Sequence, residues 1–293
     1  MRIAIFAKAL PEEAKVHVEN LLRLLYSEQI EPVLYEEVYK FMQHLPELKK
    51  CLHFNKPLEL IEMLPGLLIT LGGDGTILEA ATWVRDSRIP VLGINLGRLG
   101  FLADVAKSDI KSSLRQFFDG NYRIIERSLL AIETDVDLKI DFPYALNEIT
   151  ASRKDSTAMV TVYAYINGIF LNAYWADGLI VSTPTGSTGY SLSCGGPIIM
   201  PEAQNFVLTP IAPHNLNVRP FVIPDDKPIL LKVESREKRF LVSLDSRIYN
   251  APKGCQISLR KAHFALHSVQ LDQQPFASTL RNKLYWGLDR RNV

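Results

Sequence analysis

The segment that most restricts the fold of this chain is a short apolar run that ends in a glycine-rich turn. Residues 66–71 are rich in branched side chains, and Gly72-Gly73-Asp74-Gly75-Thr76 follows directly, before a second apolar stretch begins at Ile77. This order predicts a buried strand that turns sharply into a helix. Because glycines allow close approach to the backbone and a helix start presents free N–H groups, the turn is suited to bind a phosphate.

Asp74 is the unexpected residue of this turn. A carboxylate beside a phosphate is electrostatically unfavourable unless it holds a metal, takes up a proton or binds a hydroxyl. The alternative is that residues 72–76 form only a tight turn, in which Asp74 caps the helix. Short glycine motifs are weak signals by themselves, so both interpretations stay open on this segment alone.

The composition of the whole chain argues against several classes of protein. Its 293 residues suffice for two domains, and a hydrophobic content of 47% supplies a core for both. A net charge of +1, with Lys and Arg dispersed, favours neither nucleic acid nor a membrane surface as a partner. Cys51, Cys194 and Cys255 are far apart and indicate reduced thiols rather than a disulfide framework or a zinc site. The apolar stretch at residues 2–7 is too short for a signal peptide, so we expect a cytoplasmic protein.

The first part of the chain alternates strand and helix patterns. We predict strands at residues 2–7, 32–35, 66–71 and 89–95, and helices at 12–28, from 74 to about 85 and from about 108 to 120, with no clear prediction for 39–57. Such alternation indicates a parallel sheet, whose ligands collect at the carboxyl ends of the strands. The turn at Gly73 and the glycine-rich segment 95–102 both follow such ends, so we expect the two loops to meet at one cleft.

The second part of the chain consists of short strand patterns. We place strands near residues 122–127, 129–134, 144–152, 158–166, 169–175, 178–182, 229–234, 240–244, 255–260 and 262–270. Asn167-Gly168 is the strongest hairpin signal in the sequence. The tail, at residues 275–286, returns to helical spacing, so we expect it to fold back onto the first domain.

The segment from Asp177 to Pro197 is dense in hydroxyl and glycine residues. A carboxylate, an apolar strand and this loop follow one another, which offers hydrogen bonds to a polyhydroxy or phosphorylated ligand. A solvated Ser/Thr-rich loop is the alternative. That alternative needs neither the apolar strand before the loop nor the spacing of Tyr190 and Leu192, which is typical of a helix start.

With these motifs in order, the chain resembles the NAD kinases, which phosphorylate the 2′-hydroxyl of the adenosine ribose of NAD. The resemblance covers most of the length and rests on Gly72-Gly73-Asp74-Gly75-Thr76, residues 95–102, Leu146-Asn147-Glu148, residues 177–197 and Pro213-His214-Asn215-Leu216-Asn217-Val218-Arg219-Pro220. The first motif is shared with diacylglycerol and sphingosine kinases. The later motifs therefore make the choice.

The resemblance implies roles for individual residues. Asp74 would activate the 2′-hydroxyl as general base, beside a phosphate cradle of Gly72, Gly73 and Gly75. Asn147 and Glu148 would bind the adenosine, and Asp177 the far ribose and nicotinamide side of the substrate. The remaining predicted contacts are Thr76, Phe101, Trp175, the adenine-packing run Thr188, Gly189, Tyr190, Ser191, Leu192 and Ser193, and finally Ala212 and Arg247.

Three of these positions depart from the family pattern. Gly189 stands where alanine is usual, a change that should loosen the loop. Trp175 stands where a basic residue is frequent. Arg247, at the end of Ser243-Leu244-Asp245-Ser246-Arg247, replaces a neutral amide, and its guanidinium could meet a substrate phosphate or a carboxylate of a neighbouring subunit.

Several of the residues have a simpler interpretation when each is taken alone. Asn147-Glu148 is typical of a solvated strand end, and Asp177-Gly178 of a turn. His214, next to a proline, suits a structural hydrogen bond better than catalysis, and Cys194 suits a small packing residue. Their order along the chain favours the functional interpretation.

We therefore predict an NAD kinase with two domains. An α/β domain with a Rossmann-like parallel sheet would span residues 1–125, a mainly β, sandwich-like domain residues 126–270, and residues 271–293 would return to the first domain. The active site would lie between the domains. NAD and ATP would be the substrates, Mg²⁺ or another divalent cation would enter with ATP, and the β-rich domain would form a homodimer or homotetramer.

Two rival functions remain at this point. A lipid or sphingoid-base kinase built on the same glycine motif would need an apolar acceptor pocket, whereas the loop at residues 177–193 is polar. A non-catalytic dinucleotide sensor would use Asp74 only to hold a ribose hydroxyl. Catalytic turnover distinguishes the two, because only the kinase forms a phosphorylated product.

Overall fold

The computed structural model describes residues 1–97, 100–154, 158–271 and 276–284. The chain divides into two compact units, one formed by Met1–Glu126 with the described residues from Leu266 onward, the other by Arg127–Ala265. Each unit has its own cluster of buried apolar side chains. No helix within the described ranges is long and apolar enough to cross a membrane.

The first unit alternates strands and helices around a parallel sheet. Its elements are β1 (Arg2–Phe6), α1 (Lys15–Ser27), β2 (Glu31–Tyr35), α2 (Glu36–Met42), β3 (Leu52–Phe54), α3 (Pro57–Glu62), β4 (Leu67–Leu71), α4 (Asp74–Val84), β5 (Val91–Asn95), β6 (Val105–Ala106), α5 (Ile110–Phe118) and the start of β7 (Tyr122–Thr134). The strands lie in the order β5-β4-β1-β2-β3. The order reverses between β1 and β4, and open parallel sheets bind ligands beyond the strand ends at such a point.

The core of this unit holds the β4–α4 turn rigidly. All residues of β4 are buried, as expected for a central strand covered on both faces. α1 buries Val18, Leu21, Leu22 and Leu25, which share one helix face. Burial of each such side chain contributes roughly 1.5–3 kcal/mol, so the strand that leads into the turn cannot shift without loss of core packing.

The second unit is built from antiparallel strands. After β7 come β8 (Tyr144–Ala145), β9 (Glu148–Ser152), β10 (Val160–Ile166), β11 (Ile169–Ala176), β12 (Gly178–Ser182), α6 (Tyr190–Ser193), β13 (Asn205–Ile211), β14 (Phe221–Pro224), β15 (Ile229–Glu234), β16 (Arg239–Leu244), β17 (Arg247–Pro252) and β18 (Gln256–Leu271). The residues of β18 from Leu266 onward belong to the first unit, as does the final helix, α7 (Phe276–Leu284). One sheet of the unit contains β11-β10-β15-β18, and another has the order β14-β13-β12-β9-β16-β17.

Side chains from both of these sheets share one core. Val162 of β10 and Leu231 of β15 belong to the same buried cluster as Val181 of β12 and Val242 of β16. Residues alternate inward and outward along the strands, as in a sandwich of two sheets. The predicted fold class, an α/β part with a parallel sheet followed by a mainly β part, is confirmed.

The hairpin predicted from Asn167-Gly168 is also confirmed. These two residues join β10 to β11, with Ile166 opposite Ile169. Both have positive φ, 50° and 78°, as the tight two-residue turn of a hairpin requires.

Other elements differ from the predictions. Residues 39–57 contain the end of α2, a 3₁₀ turn at Pro46–Lys50 and β3. The strand predicted at 144–152 is broken at Leu146 and Asn147, whereas the two strands predicted at 255–260 and 262–270 are the single strand β18. The predictions missed β13, because Pro210 breaks the strand pattern although it pairs with Leu179. Of the predicted tail helix, residues 275, 285 and 286 lie outside the described residues.

Candidate functional site

The glycines of the β4–α4 turn are there for two different reasons. Gly72 has φ +155°, and a Cβ on it would lie 2.1 Å from Thr76 Oγ1, so internal packing requires glycine. A Cβ on Gly73 or Gly75 would meet no protein atom within 4 Å, and both residues are exposed. The protein itself does not need those two glycines. They fit the predicted phosphate cradle, because glycine lets a ligand approach the backbone closely.

The Asp74 side chain does not cap the helix that it begins. The N-cap of α4 is Gly73, with no side-chain capping bond. The Asp74 carboxylate instead accepts hydrogen bonds from the backbone N–H groups of Phe101 (2.8 Å), Leu102 (3.0 Å) and Ala103 (2.9 Å). The capping role that the turn-only alternative gave to Asp74 is therefore wrong.

This contact places the second glycine-rich segment against the first. A Cβ on Gly100 would lie 1.6 Å from Asp74 Oδ1, so glycine is required there for the carboxylate to reach the loop. A carboxylate has about four lone-pair positions, and three N–H donors leave capacity for one more donor such as a hydroxyl. The Phe101 ring lies beside α7, with Lys283 Nζ 4.9 Å from its centroid.

In the second unit, Asn147 and Glu148 lie at the break between β8 and β9. The carboxylate of Asp245 fixes the backbone here: it accepts from the N–H groups of Leu146 (3.0 Å), Asn147 (2.8 Å) and Glu148 (3.2 Å). The Asp245 side chain is only 4% exposed. Burial raises its pKa, against the opposing effect of these hydrogen bonds and of Arg247. This role of Asp245 could not be predicted from the sequence.

Glu148 is a buried carboxyl group with a raised pKa. It is 8% exposed, and burial together with the nearby Asp245 charge raises its pKa to about 7, while a hydrogen bond from the Tyr190 backbone lowers it. Glu148 Oε2 and Asn147 Oδ1 are buried and have no hydrogen-bond partner in the described protein. A buried polar atom without a partner costs about 1–3 kcal/mol, so the two oxygens are suited to meet polar groups of a ligand.

The loop after β12 packs directly on this pair. Asn147 O accepts from Thr183 N at 2.9 Å, and a Cβ on Gly186 would lie only 2.1 Å from that oxygen. A Cβ on Gly189 would come within 3.0 Å of Glu148 Oε2. Glycine at 189 thus leaves room beside Glu148 that a methyl group would reduce.

Not all hydroxyl groups of this loop are presented to a ligand, as its composition had suggested. Ser187 Oγ donates to Pro184 O at 2.6 Å, and the buried Ser191 Oγ pairs with Thr209 Oγ1 at 2.8 Å. Thr188 Oγ1 bonds to Thr185 O at 3.2 Å. Tyr190 and Ser193 are exposed, and Leu192 is partly buried. These hydroxyl groups therefore bond within the protein, and the exposed side chains of Tyr190 and Ser193 stay predicted contacts of a ligand.

Asp177 is paired with an arginine that sequence reasoning missed. Arg153 Nε and Nη2 lie 2.8 and 3.2 Å from the two carboxylate oxygens. Next to Asp177, the Trp175 ring lies 4.3 Å from the ring of His214, and the His214 backbone donates to Trp175 O. Ala212, which leads into this segment, is exposed and has φ +43°, a conformation unusual for alanine.

The guanidinium of Arg247 is bound to its own chain. Nη1 donates to Phe142 O at 2.6 Å, Nη2 donates to Tyr144 O, and Nη2 lies 3.7 Å from the Asp245 carboxylate. Arg247 thus supports Asp245. A contact with a substrate phosphate or with a neighbouring subunit stays a prediction.

The structure defines the class of protein: a parallel α/β unit with a glycine-rich turn at the start of α4, followed by an antiparallel β unit. Comparison with protein families narrows this class. Residues 3–122 match the family model of the ATP-NAD kinase N-terminal domain, and residues 146–271 that of the ATP-NAD kinase C-terminal domain. The chain belongs to the ATP-NAD kinase family.

Individual relatives agree with this assignment. The NAD kinase of Flavobacterium psychrophilum is 46% identical and that of Cytophaga hutchinsonii 42%, each over 100% of both chains. Among solved structures, an NAD kinase from Archaeoglobus fulgidus in complex with ATP has a TM-score of 0.75 and 25% identity, covering 97% of this chain and 99% of its own. A yeast NADH kinase complexed with NADH has a TM-score of 0.86 over 99% of this chain and 88% of its own, but its 22% identity shows the fold alone.

Proposed function

We propose that this protein transfers the γ-phosphoryl group of ATP to the 2′-hydroxyl of the adenosine ribose of NAD, which gives NADP and ADP. Membership in the ATP-NAD kinase family supports this reaction, as do full-length relatives named NAD kinase. The observation that carries it is the Asp74 carboxylate, held by three backbone N–H groups beside the exposed Gly73 and Gly75.

Asp74 is the proposed general base. Its remaining lone-pair capacity accepts the proton of the 2′-hydroxyl as that oxygen attacks the γ-phosphorus, and ADP leaves. Gly72, Gly73, Gly75 and Thr76 form the phosphate cradle at the start of α4, where free N–H groups and the helix dipole stabilise negative charge. Phe101 forms part of the loop that holds the carboxylate in place.

The second unit supplies the proposed NAD-binding residues. Asn147 Oδ1 and Glu148 Oε2 meet polar groups of the adenosine, and Asp177 binds hydroxyls of the far ribose. The loop from Thr188 to Ser193 packs on the adenine through its exposed members, and Trp175, Ala212 and Arg247 complete the set. Asn147, Glu148 and Asp177 make the proposed acceptor site polar, which disfavours a lipid acceptor.

A divalent cation, with Mg²⁺ the natural choice, enters with ATP. Within the described ranges no group of His, Cys, Asp or Glu residues is arranged to hold a metal ion by itself. The cation would therefore bind chiefly to the phosphate oxygens, where it neutralises charge.

We further propose that the two units act as the domains of a cytoplasmic homodimer or homotetramer. β11 lies at the end of its sheet and exposes Ile169, Phe170 and Trp175, with relative accessibilities of 72%, 54% and 48%. An edge strand with such side chains is suited to pair with a second copy of the chain.

The assay that tests the proposed function offers three acceptors to the purified protein with ATP and Mg²⁺: NAD, sphingosine and diacylglycerol. We expect phosphorylation of NAD alone, read as NADP by an NADP-specific dehydrogenase. Phosphorylation of a lipid would identify the rival kinase. Binding of NAD in calorimetry without any product would identify the sensor.

A further inference from the structure

We propose that Asp245 is a positioning residue for nucleoside recognition: its carboxylate holds the backbone of residues 146–148 so that Asn147 and Glu148 present their side-chain oxygens to the ligand. The identity of that ligand, the adenosine of NAD, rests on the proposed function. The geometry of the three residues does not depend on it.

The contacts of Asp245 are reciprocal and use four of the six backbone N–H and C=O groups of residues 146–148. Its carboxylate accepts three consecutive N–H groups at 2.8 to 3.2 Å, and its own N–H donates to Glu148 O at 3.0 Å. Thr183 binds the other two carbonyls of the segment, with Oγ1 to Leu146 O at 2.6 Å and N to Asn147 O at 2.9 Å. Every backbone N–H and C=O of residues 146–148 thus has a hydrogen-bond partner.

The side chains of Asn147 and Glu148 differ from the backbone of the same segment in their hydrogen bonding. Glu148 Oε2 and Asn147 Oδ1 are buried without a hydrogen-bond partner in the described protein, although the backbone between them is fully bonded. Most buried polar atoms of a folded protein have a hydrogen-bond partner, so two such oxygens on consecutive residues favour a role beyond a strand connection. Two oriented polar groups above a fixed backbone are the arrangement expected of a ligand site.

The backbone conformation and the buried charge of Asp245 are both unfavourable for folding, which argues against a merely structural role. It has φ +52°, its side chain is 4% exposed, and its charge faces the Glu148 carboxyl group. Arg247 offsets part of the charge at 3.7 Å and is itself held by Phe142 O and Tyr144 O. An asparagine would remove the repulsion between two carboxylates but could not accept all three N–H groups.

Burial and, to a smaller extent, the charge of Asp245 set the protonation state in which Glu148 meets its ligand. Besides Asp245, the groups that face Glu148 are the Tyr190 backbone N–H, the Tyr190 phenol and the Cys194 thiol. With a pKa of about 7, Glu148 carries a proton in a large share of molecules at neutral pH. The protonated group donates to a ligand acceptor such as a ring nitrogen or a hydroxyl oxygen, while Asn147 Oδ1 accepts from a ligand hydroxyl or amine.

The test compares Asp245→Asn with the wild-type protein by calorimetry of NAD and of ATP at pH 6, 7 and 8. We expect the variant to bind NAD at least tenfold more weakly at pH 6 and to bind ATP normally. In the wild type, NAD affinity falls as the pH rises through about 7, and in Asp245→Asn this fall moves to lower pH, because a repelling charge is gone. Asp225→Asn, which removes another buried carboxylate, paired with Lys261 at 2.7 Å, is the matched control and leaves NAD affinity unchanged.

A second variant, Glu148→Gln, tests the proposal even if Asp245→Asn does not fold. Glutamine does not titrate, so whatever the absolute affinity of Glu148→Gln for NAD, we expect that affinity to be the same at pH 6, 7 and 8. A fall in the NAD affinity of Glu148→Gln between pH 6 and pH 8 as large as that of the wild type would overturn the proposal. So would unchanged NAD affinity in a folded Asp245→Asn protein.

Hydrogen exchange separates this proposal from the proposed function. The amide protons of residues 146–148 should exchange at least tenfold faster in Asp245→Asn than in the wild type, whatever the ligand is. If the wild type does not bind NAD but exchange responds in this way, the proposed function fails and the positioning role stands. Unchanged exchange at these amides would overturn the positioning role even in an active NAD kinase.

Discussion

Arg153 binds Asp177 through two parallel contacts, Nε to Oδ1 at 2.8 Å and Nη2 to Oδ2 at 3.2 Å. The Arg153 backbone N–H also donates to Asp177 O at 2.9 Å, so the two residues are fixed to each other at both the main chain and the side chain. A bidentate pair of this kind sets the direction of the carboxylate. Arg153 therefore orients the group proposed to bind the far ribose of NAD.

Arg153→Gln is expected to weaken NAD recognition without unfolding the protein. Loss of orientation at one hydrogen-bonded carboxylate is worth about 1 kcal/mol, so the KM for NAD should rise roughly fivefold, with the KM for ATP unchanged. Stability should change by less than about 1 kcal/mol in urea unfolding, because the pair is partly exposed. Lys139→Gln, which breaks an exposed pair with Asp137, is the control. An unaltered KM for NAD would show that Asp177 does not depend on Arg153.

Gly72 and Gly73 should respond differently to the same substitution. Gly72→Ala places a Cβ 2.1 Å from Thr76 Oγ1 at a positive φ, so we expect a loss of about 1–3 kcal/mol in unfolding free energy. Gly73→Ala meets no protein atom within 4 Å and should keep its stability within about 0.5 kcal/mol. Its KM for ATP should nevertheless rise at least tenfold. Normal ATP kinetics in Gly73→Ala would argue that the turn is not a phosphate cradle.

Gly100→Ala should impair catalysis through Asp74. The new Cβ would lie 1.6 Å from Asp74 Oδ1 and would force the carboxylate out of its three hydrogen bonds. We expect kcat to fall at least 10²-fold, as for loss of a general base, while NAD still binds in calorimetry. Gly97→Ala tests whether any added methyl in this loop is harmful, since its Cβ would have 3.8 Å to the nearest atom, Asn95 Oδ1. Full activity of Gly100→Ala would contradict the placement of Asp74.

The raised pKa of Glu148 makes stability depend on pH. Below its unfolded value near 4.5 the group is protonated in both states and has no effect on stability. Between 4.5 and about 7 the native state holds the proton more tightly than the unfolded chain, so stability falls as the pH rises through this window, by about 3 kcal/mol in all. Urea unfolding of the wild type and of Glu148→Gln measures this. The variant should lack the decrease, and equal slopes for the two proteins would rule out the shift.

Local signals in the sequence were sufficient for the elements around the site. The branched run before Gly72 predicted a buried strand, and Asn167-Gly168 predicted the hairpin, because both depend on neighbouring residues. The partners of the carboxylates could not be predicted in this way. Asp74 contacts residues 27 to 29 positions away, and Asp245 contacts residues 97 to 99 positions away.

Contacts between distant parts of the chain also decide which hydroxyl groups of the loop after β12 are available to a ligand, and the composition of the loop does not reveal them. A run of Ser and Thr suggests donors for a ligand, but Ser187 and Ser191 satisfy neighbouring groups of the protein. Whether a hydroxyl serves the fold or the ligand depends on strands that are distant in sequence, such as β13 with Thr209. Arg153 was missed for a related reason, because its partner follows 24 positions later.

The most direct test of the account is a single-turnover experiment with ATP labelled in the γ-phosphate, NAD and Mg²⁺, on the wild type and on Asp74→Asn. The wild type should transfer the label to the 2′-hydroxyl of NAD. Asp74→Asn should bind NAD with affinity close to normal in calorimetry and transfer the label about 10²–10⁴ times more slowly. Transfer at a normal rate by Asp74→Asn, or no transfer to NAD by the wild type, would contradict the account.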